Sequence, residues 1–297
     1  KGVILNYINI GLGNLIPIFY TPVMLQLLGQ SEYGLYKLSS SVTSYLSLVS
    51  LGIGSAVTRY LIKYKVEGSK KDEEKILGLF MIIFQIIAIA TLLIGTFLIF
   101  NLHIWYDKSL TSSQLMRMKI LVALMVCNMA ISFSVSPYIS VVNAHEKFVF
   151  LQCMNILSTC IAPIANLVML YMGYKSIGMA ISTLVINVIV QLLYLIYVRK
   201  KLRIHARYRK LPLELLKEIL VFSFWIFLAN VVSQLYSATD TVMIGAIPAL
   251  ATVGTAIYNV GNTLNSIVFT MTTGISNVLS PKTNRMVFAG SNKNELL

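Results

Sequence analysis

The stretch that decides the fold is ILGLFMIIFQIIAIATLLIGTFLIFNLHIWY, residues 76–106, which contains no Lys, Arg, Asp or Glu. About 20 predominantly apolar residues cross the hydrocarbon core of a bilayer as a helix, so this stretch is long enough to span a membrane. The whole chain has the same character, because it is 297 residues long, 57% hydrophobic and only 12% charged. Soluble domains are about 25% charged. The sequence therefore predicts a membrane protein, and it argues against a soluble enzyme.

Seven further stretches are equally free of charged residues, and each is at least 21 residues long. Together the eight stretches predict an all-α, polytopic bundle of membrane helices. The predicted spans are residues 3–28, 36–58, 76–102, 118–142, 148–172, 176–198, 215–243 and 253–280.

The basic residues gather on one side of this predicted topology. Six Lys or Arg residues lie in 59–75, between spans two and three, and eight lie in 199–217, between spans six and seven. Cytoplasmic loops carry the excess of Lys and Arg in membrane proteins, so we expect a cytoplasmic N-terminus. The net charge of +13 then reflects membrane topology rather than nucleic-acid binding. The densest run, 199–210, is expected to lie against anionic membrane lipids at the inner leaflet.

A weak internal repeat appears when the sequence is shifted by 222 residues, which places 36–73 over 258–295. Span two then falls on span eight, and the repeating unit contains six spans. An even number of spans makes the two copies parallel repeats, related by an axis along the membrane normal. We expect a first six-helix lobe at 1–198, a basic linker at 199–217 and the start of a second lobe at 218–297. The chain is thus interpreted as a piece of a carrier with 12–14 helices.

Uncharged polar residues form a stripe along span two and another along span eight, at helical spacing. One interpretation is a hydrophilic wall that faces a water-filled cavity, and the other is polar contact between packed helices. On the first interpretation, the substrate-binding residues are Lys37, Ser40, Ser44, Ser47, Arg59, Asn259, Asn262 and Ser266.

Three charged residues near the ends of spans are candidates for specific roles. Asp240 has apolar sequence on both sides, and a carboxylate inside a membrane is a candidate functional group. It is interpreted as an ion-coupling residue, as a partner of Lys37 or as an interfacial residue at the end of its helix. Arg59 closes span two, where it could bind a phosphate with two parallel hydrogen bonds or serve as a positive-inside anchor.

Several kinds of chemistry leave no pattern in the sequence. The chain has no CxxC motif, no His and Cys spacing typical of a metal site and no phosphate-binding glycine loop. We therefore expect no metal site, no catalytic residues and no hydrolysis of ATP by this chain.

The stretch LLGQSEYGLYKLSSSVTSYLSLVSLGIGSAVTRYL, residues 27–61, resembles the end of helix one and all of helix two in bacterial oligosaccharide flippases. These proteins belong to the multidrug/oligosaccharidyl-lipid/polysaccharide exporter superfamily. The matching motifs are Leu28-Gly29, residues 33–36 (YGLY), Leu51-Gly52, Arg59-Tyr60 and residues 240–245 (DTVMIG).

The resemblance implies a V-shaped bundle of two lobes in the bacterial cytoplasmic membrane, with alternating access to a cavity between them. The implied substrate is an undecaprenyl-diphosphate-linked oligosaccharide, which is flipped from the inner to the outer leaflet. Coupling to H⁺ or Na⁺ is implied, no other cofactor is, and a polysaccharide polymerase and glycosyltransferases are implied partners. One departure is that the family cavity is usually cationic, whereas only Lys37 and Arg59 are basic candidates here.

Two other classes of function stay open at this point. A multidrug cation antiporter of the same fold would favour acidic and aromatic residues in its cavity. A membrane enzyme acting on lipid-linked sugars would need a catalytic acid in the outer loops, which offer only Glu32, Asp107 and Asp240.

Overall fold

A computed structural model shows the protein as a bundle of long helices. The structure describes residues 2–67, 69–209, 211, 214–266 and 268–269, and these contain no β-strand. The helices are α1 (Gly2–Leu28), α2 (Gln30–Ser44), α3 (Ile53–Glu67), α4 (Lys70–Tyr106), α5 (Ser112–Ala144), α6 (Phe148–Tyr171), α7 (Lys175–Ile196), α8 (Leu215–Ala246) and α9 (251–266).

The predicted all-α, polytopic architecture is confirmed. Within the described part of the chain, seven helical stretches are long and apolar enough to cross a membrane. Six of them coincide with predicted spans of one helix each, and the seventh joins α2 and α3 across 30–65. The eighth predicted span, 253–280, begins as α9, but its residues beyond 269 lie outside the described residues. Most of the second copy of the repeat lies there too.

The prediction of one continuous helix over 36–58 is wrong. The helix begins earlier, at Gln30, and it changes to a 3₁₀ turn over Tyr45–Ser50 before α3 begins. Between the turn and α3, Leu51 and Gly52 adopt positive φ angles of 49° and 69°. Glycine takes this backbone conformation without steric cost. A Cβ at Gly52 would also lie 2.9 Å from the side chain of Ile226 on α8, so the break is a point of close helix contact.

Local sequence explains several of the helix ends. Gly29, with φ of 77°, separates α1 from α2. The Thr111 hydroxyl accepts a hydrogen bond from the Gln114 backbone at 3.3 Å and caps α5. The prolines at 17, 22, 137 and 163 lie inside helices that continue past them, as is common in membrane helices.

Three apolar clusters hold the bundle together. The largest lies among α3, α4, α5 and α7, with Leu61 and Phe80 fully buried in it. A second cluster, toward the other end of these helices, joins Leu38 to Tyr106. A third, which contains Tyr33 and Ala256, seats α9 against α1 and α2. The position of α9 beside the first helices therefore depends on apolar packing.

The outward face of α4 is apolar over most of the helix. Exposed apolar residues recur at helical spacing along this face, among them Ile82, Ile86, Ile89, Leu93, Phe97 and Phe100. From the first to the last of these, the helix rises about 27 Å, which is close to the thickness of a hydrocarbon core. We refer to this set as the lipid-facing stripe.

The bundle has two ends with different polar contacts. At one end, the imidazole of His145 lies 2.6 Å from the carboxylate of Glu73, which joins the end of α5 to the start of α4. The long basic segments adjoin this end, and we call it the basic end. At the opposite end, Glu32 forms an ion pair with Arg117 at 2.8 Å and accepts a hydrogen bond from Ser176 at 2.5 Å. The starts of α2, α5 and α7 therefore meet there.

Candidate functional site

The segment formed by α2, the 3₁₀ turn and α3 packs along α8, and we call this contact the seam. Near its middle, the Gln234 amide donates a hydrogen bond to the Ser44 hydroxyl at 2.5 Å. The hydroxyls of Tyr45 and Thr239 share a hydrogen bond of 2.8 Å. The middle of the seam is therefore polar, although it lies between two membrane helices.

At the opposite end, α2 touches the start of α9 backbone to backbone. A Cβ on Gly34 would lie only 1.8 Å from the carbonyl oxygen of Thr252. The hydroxyls of Ser31 and Thr252 share a hydrogen bond of 3.1 Å. A few residues along, Gly245 of α8 packs directly on the side chain of Leu38. The seam is closed at this end, and two glycines make the approach possible.

At the basic end, two neighbouring residues of α3 face α8. The guanidinium of Arg59 lies 4.6 Å from the ring centre of Phe222. The hydroxyl of Tyr60 donates a hydrogen bond to the carboxylate of Glu218 at 3.4 Å. Arg59 is exposed, and no carboxylate of the described residues forms an ion pair with it. Its charge is accessible to an anionic group.

The two charged residues expected near the opposite end have separate surroundings. Lys37 is half-buried, and its amine lies 5.6 Å from the ring centre of Tyr33. Asp240 is exposed and accepts a hydrogen bond from the hydroxyl of Tyr258 at 2.6 Å. The structure shows no ion pair between Lys37 and Asp240. Asp240 is therefore linked to α9 rather than to α2.

The polar residues of α9 divide between two environments. Asn259 is buried and donates hydrogen bonds to Thr241 of α8 at 3.3 Å and to the carbonyl of Thr255 at 2.9 Å. Asn262 is half-buried, and Ser266 is exposed with its hydroxyl 2.7 Å from the carbonyl of Thr263. An open depression of about 320 Å³ follows this helix and is lined by Ile257, Tyr258, Gly261, Asn262 and Asn265.

The predicted substrate residues are therefore not gathered in one place. Ser44 and Asn259 form hydrogen bonds between packed helices, which was the alternative interpretation of the stripes. Ser40 is exposed on α2, and Ser47 is half-buried in the 3₁₀ turn. Arg59 is separated from Lys37 along the seam, because the two lie toward opposite ends of it. These residues therefore do not form one compact pocket.

Sequence reasoning missed the partners on α8. Gln234 and Thr239 face Ser44 and Tyr45, yet neither belonged to a predicted stripe. The available signal was their polarity within an otherwise apolar span. Finding the pairs needed the relative register of two helices that are 190 residues apart in sequence.

A polar cluster inside the first six helices was also missed. The Asn187 amide of α7 donates hydrogen bonds to the side chains of Asn128 at 2.7 Å and Ser132 at 2.8 Å, both on α5. The Gln191 amide donates to Asn187 at 3.3 Å. Among the described residues, no three His, Cys, Asp or Glu side chains come together in a way that could hold a metal ion. The cluster thus serves as contact between α5 and α7.

This architecture defines the chain as a polytopic membrane helix bundle, and solved structures share its fold. One of them, described as protein A, has a TM-score of 0.74 and 12% identity, and covers 94% of this chain. The chain spans 62% of the length of that protein. Another is the inward-facing conformation of a multidrug resistance MATE family transporter of the MOP superfamily. It has a TM-score of 0.65 and 14% identity, over 96% of this chain and 67% of the other.

The sequence also matches the model of a protein family over residues 1–285, and that family is described as polysaccharide biosynthesis protein. The chain belongs to this family. No curated protein matches the sequence significantly.

Proposed function

We propose that this chain forms part of a flippase for lipid-linked oligosaccharide. The substrate is an undecaprenyl-diphosphate-linked oligosaccharide, which moves from the inner to the outer leaflet of the bacterial cytoplasmic membrane. Membership of the polysaccharide biosynthesis protein family supports the substrate class. The fold shared with a transporter in an inward-facing conformation supports a mechanism of alternating access.

The observation that carries this proposal is the seam. It is closed at the opposite end by glycine contacts, polar in the middle and flanked by an exposed Arg59 at the basic end. Hydrogen bonds between side chains can be exchanged for hydrogen bonds to water or to sugar hydroxyls at little net cost. Such a contact is suited to opening and closing, which alternating access requires.

Arg59 has the role of receiving the diphosphate at the basic end. A guanidinium presents parallel donors that match two phosphate oxygens. Ser40, Asn262 and Ser266 provide hydroxyl and amide groups for the sugars. The lipid tail stays in the bilayer at the side of the bundle. On this proposal the basic end is cytoplasmic, so the N-terminus is cytoplasmic too.

Asp240 has the role of coupling transport to a gradient of H⁺ or Na⁺. Its carboxylate is exposed, and the Tyr258 hydroxyl links it to α9. Binding of a cation would weaken this hydrogen bond and so change the contact between α8 and α9. A polysaccharide polymerase and glycosyltransferases are proposed partners, because they would consume and supply the substrate.

Replacement of Arg59 tests the proposal. We expect Arg59→Ala, in the gene product that contains this chain, to abolish surface polysaccharide in a bacterium that lacks its own flippase. The reason is the loss of the phosphate-binding group, so the amount of protein in the membrane should stay normal. The measurement is surface polysaccharide by gel, beside immunoblots of membranes.

The matched control is Lys63→Ala, which removes an exposed positive charge one turn further along α3. This variant should retain polysaccharide. Normal polysaccharide with Arg59→Ala would remove Arg59 from the site. If the wild-type protein restored no surface polysaccharide in this bacterium but made it resistant to cationic drugs, the multidrug antiporter would be favoured instead.

A further inference from the structure

The linker between α7 and α8 is fixed to the outside of the first six helices. After α7, a π-helical turn over Tyr197–Leu202 ends at Arg203, whose φ is 55°. The chain then continues without regular secondary structure, with Ile204 buried at 2% exposure. The backbone N–H of Arg207 donates a hydrogen bond to the carbonyl of Glu74 at 2.9 Å. The linker is thus a part of the folded surface.

Gly78 provides the place where the linker crosses α4. A Cβ at Gly78 would lie 2.1 Å from the carbonyl oxygen of Arg207, so no other residue fits without moving the backbone. Glu74 and Gly78 are one turn apart on the same helix. The hydrogen bond and the glycine contact together fix the linker across this helix.

The exposed side of this segment carries only positive charge. We call its exposed basic residues the basic strip, and they are Arg199, Lys200, Lys201, Arg203, Arg207 and Arg209. Ile204 and Ala206 point toward the bundle between them. None of these six side chains forms an ion pair with a carboxylate of the described residues. The charge of the strip is therefore not neutralised within this part of the protein.

The basic strip lies next to Ile82, at the end of the lipid-facing stripe that is nearest the basic end of the bundle. Ile82 begins that stripe, and Gly78 precedes it by one helical turn, about 6 Å along α4. Since the stripe is as long as a hydrocarbon core is thick, the next turn of α4 lies at the depth of the head groups. Tyr208, at 59% exposure, adds an aromatic residue of the kind enriched at this depth.

We propose that the basic strip is a binding surface for the head groups of anionic phospholipids. Its charges lie at the depth where phosphate groups occur, and its backbone is held in place before the lipid binds. One of the six, Arg199, also donates a hydrogen bond from its guanidinium to the Tyr138 hydroxyl at 3.2 Å. The diphosphate of a lipid-linked substrate offers similar oxygens. The position beside the lipid-facing stripe, and not at the seam, favours bulk phospholipid. This proposal does not depend on the transported substrate.

The test compares lipids retained by purified variants of the chain. We expect the protein in nanodiscs of phosphatidylglycerol and phosphatidylcholine to retain phosphatidylglycerol selectively after delipidation, measured by native mass spectrometry. The variant Arg203→Gln/Arg207→Gln/Arg209→Gln should lose at least about tenfold in this selectivity, because each basic residue near the surface attracts anionic lipid. The matched control is Lys108→Gln/Lys119→Gln/Lys175→Gln, which removes the same amount of charge at the opposite end. This variant should keep its selectivity for phosphatidylglycerol.

A second variant separates position from charge. Gly78→Val displaces the linker backbone without altering any charge, and it should also lower retention of phosphatidylglycerol. Helix content by circular dichroism must remain that of the wild type in every variant compared. Equal loss of selectivity in the two triple variants, or full retention by Gly78→Val, would overturn the proposal. Binding of pyrophosphate by the wild-type protein in phosphatidylcholine nanodiscs would also overturn the proposal if only the Arg203/Arg207/Arg209 variant lost it. That result would identify a diphosphate site.

Discussion

At Gly34 a single hydrogen atom occupies the position where any other residue would place a side chain against α9. The backbone carbonyl of Thr252 fills that space, and a main-chain group cannot rotate away as a side chain can. The contact therefore depends on glycine at this one position. Gly54 is also helical, yet nothing lies within 4 Å of the place where its Cβ would be.

This difference predicts opposite effects for two equal substitutions. Gly34→Ala should lower the free energy of unfolding by about 1–3 kcal/mol, because overpacking shifts the backbone of α9. Gly54→Ala should leave stability unchanged or raise it by up to about 1 kcal/mol, since alanine is the better helix former. Thermal unfolding in detergent, followed by circular dichroism, measures both. Equal midpoints for the two variants would contradict the close approach at Gly34.

Individual residues were the hardest part to predict from sequence. Asp240 was recognised as unusual because it follows apolar residues, but its partner Tyr258 lies on the next helix. The pairing depends on how α8 and α9 pack, and no local pattern encodes it. A pair of Lys37 with Asp240 was one of three interpretations, and Lys37 instead lies over Tyr33, its neighbour one turn earlier.

At the scale of elements, α4 shows what the sequence predicts well. Its long apolar run defined the span, and the polar residues at its ends only extend it to Lys70 and Tyr106. The second span shows the limit. Its composition is compatible with one helix, but the break at Leu51 and Gly52 coincides with close packing on α8, which is a tertiary effect.

The contact of α2 with α9 predicts that a disulfide between these two helices can hold this end of the seam closed reversibly. In a variant without native cysteines, Ser31→Cys/Thr252→Cys should form a disulfide on mild oxidation, because the two hydroxyls are 3.1 Å apart. The bond would hold the opposite end of the seam closed and stop transport, and a reductant should restore it. Gel mobility after proteolysis between the two positions measures the bond, and surface polysaccharide measures transport.

The two single-cysteine variants serve as controls and should transport under both conditions. Transport by the fully cross-linked protein would show that this end of the seam does not need to open. Failure of the disulfide to form would contradict the contact itself.

For the whole molecule, the distribution of charge predicts its orientation. In intact cells, a membrane-impermeant thiol reagent should label Lys108→Cys and not Lys200→Cys, each in a background without other cysteines. Both residues are exposed, so accessibility to the reagent depends only on the side of the membrane. The physical reason is the retention of basic loops in the cytoplasm. Permeabilised cells should label both variants, and the reverse pattern in intact cells would contradict the orientation.

The seven membrane spans within the described residues were predictable in their order because they depend on local hydropathy over long windows. Residues 215–243, for example, were predicted as a span and are helical within Leu215–Ala246. The pairing of this helix with α2 and α3 was not predicted. The repeat made span two and span eight equivalent positions in two copies and said nothing about contacts, whereas in the structure Ser44 lies against Gln234 of span seven. Membrane helices are apolar on many faces, so hydropathy alone cannot select their neighbours.

The hydrogen bond between Arg207 and Glu74 also limits how far the start of α8 can move away from α4. Eight peptide steps separate Arg207 from Leu215, where α8 begins. A fully extended chain of that length reaches about 29 Å. While the bond to Glu74 holds, Leu215 stays within about 29 Å of Arg207. Deleting residues between Arg207 and Leu215 would restrict the movement of α8 without changing any residue at the seam.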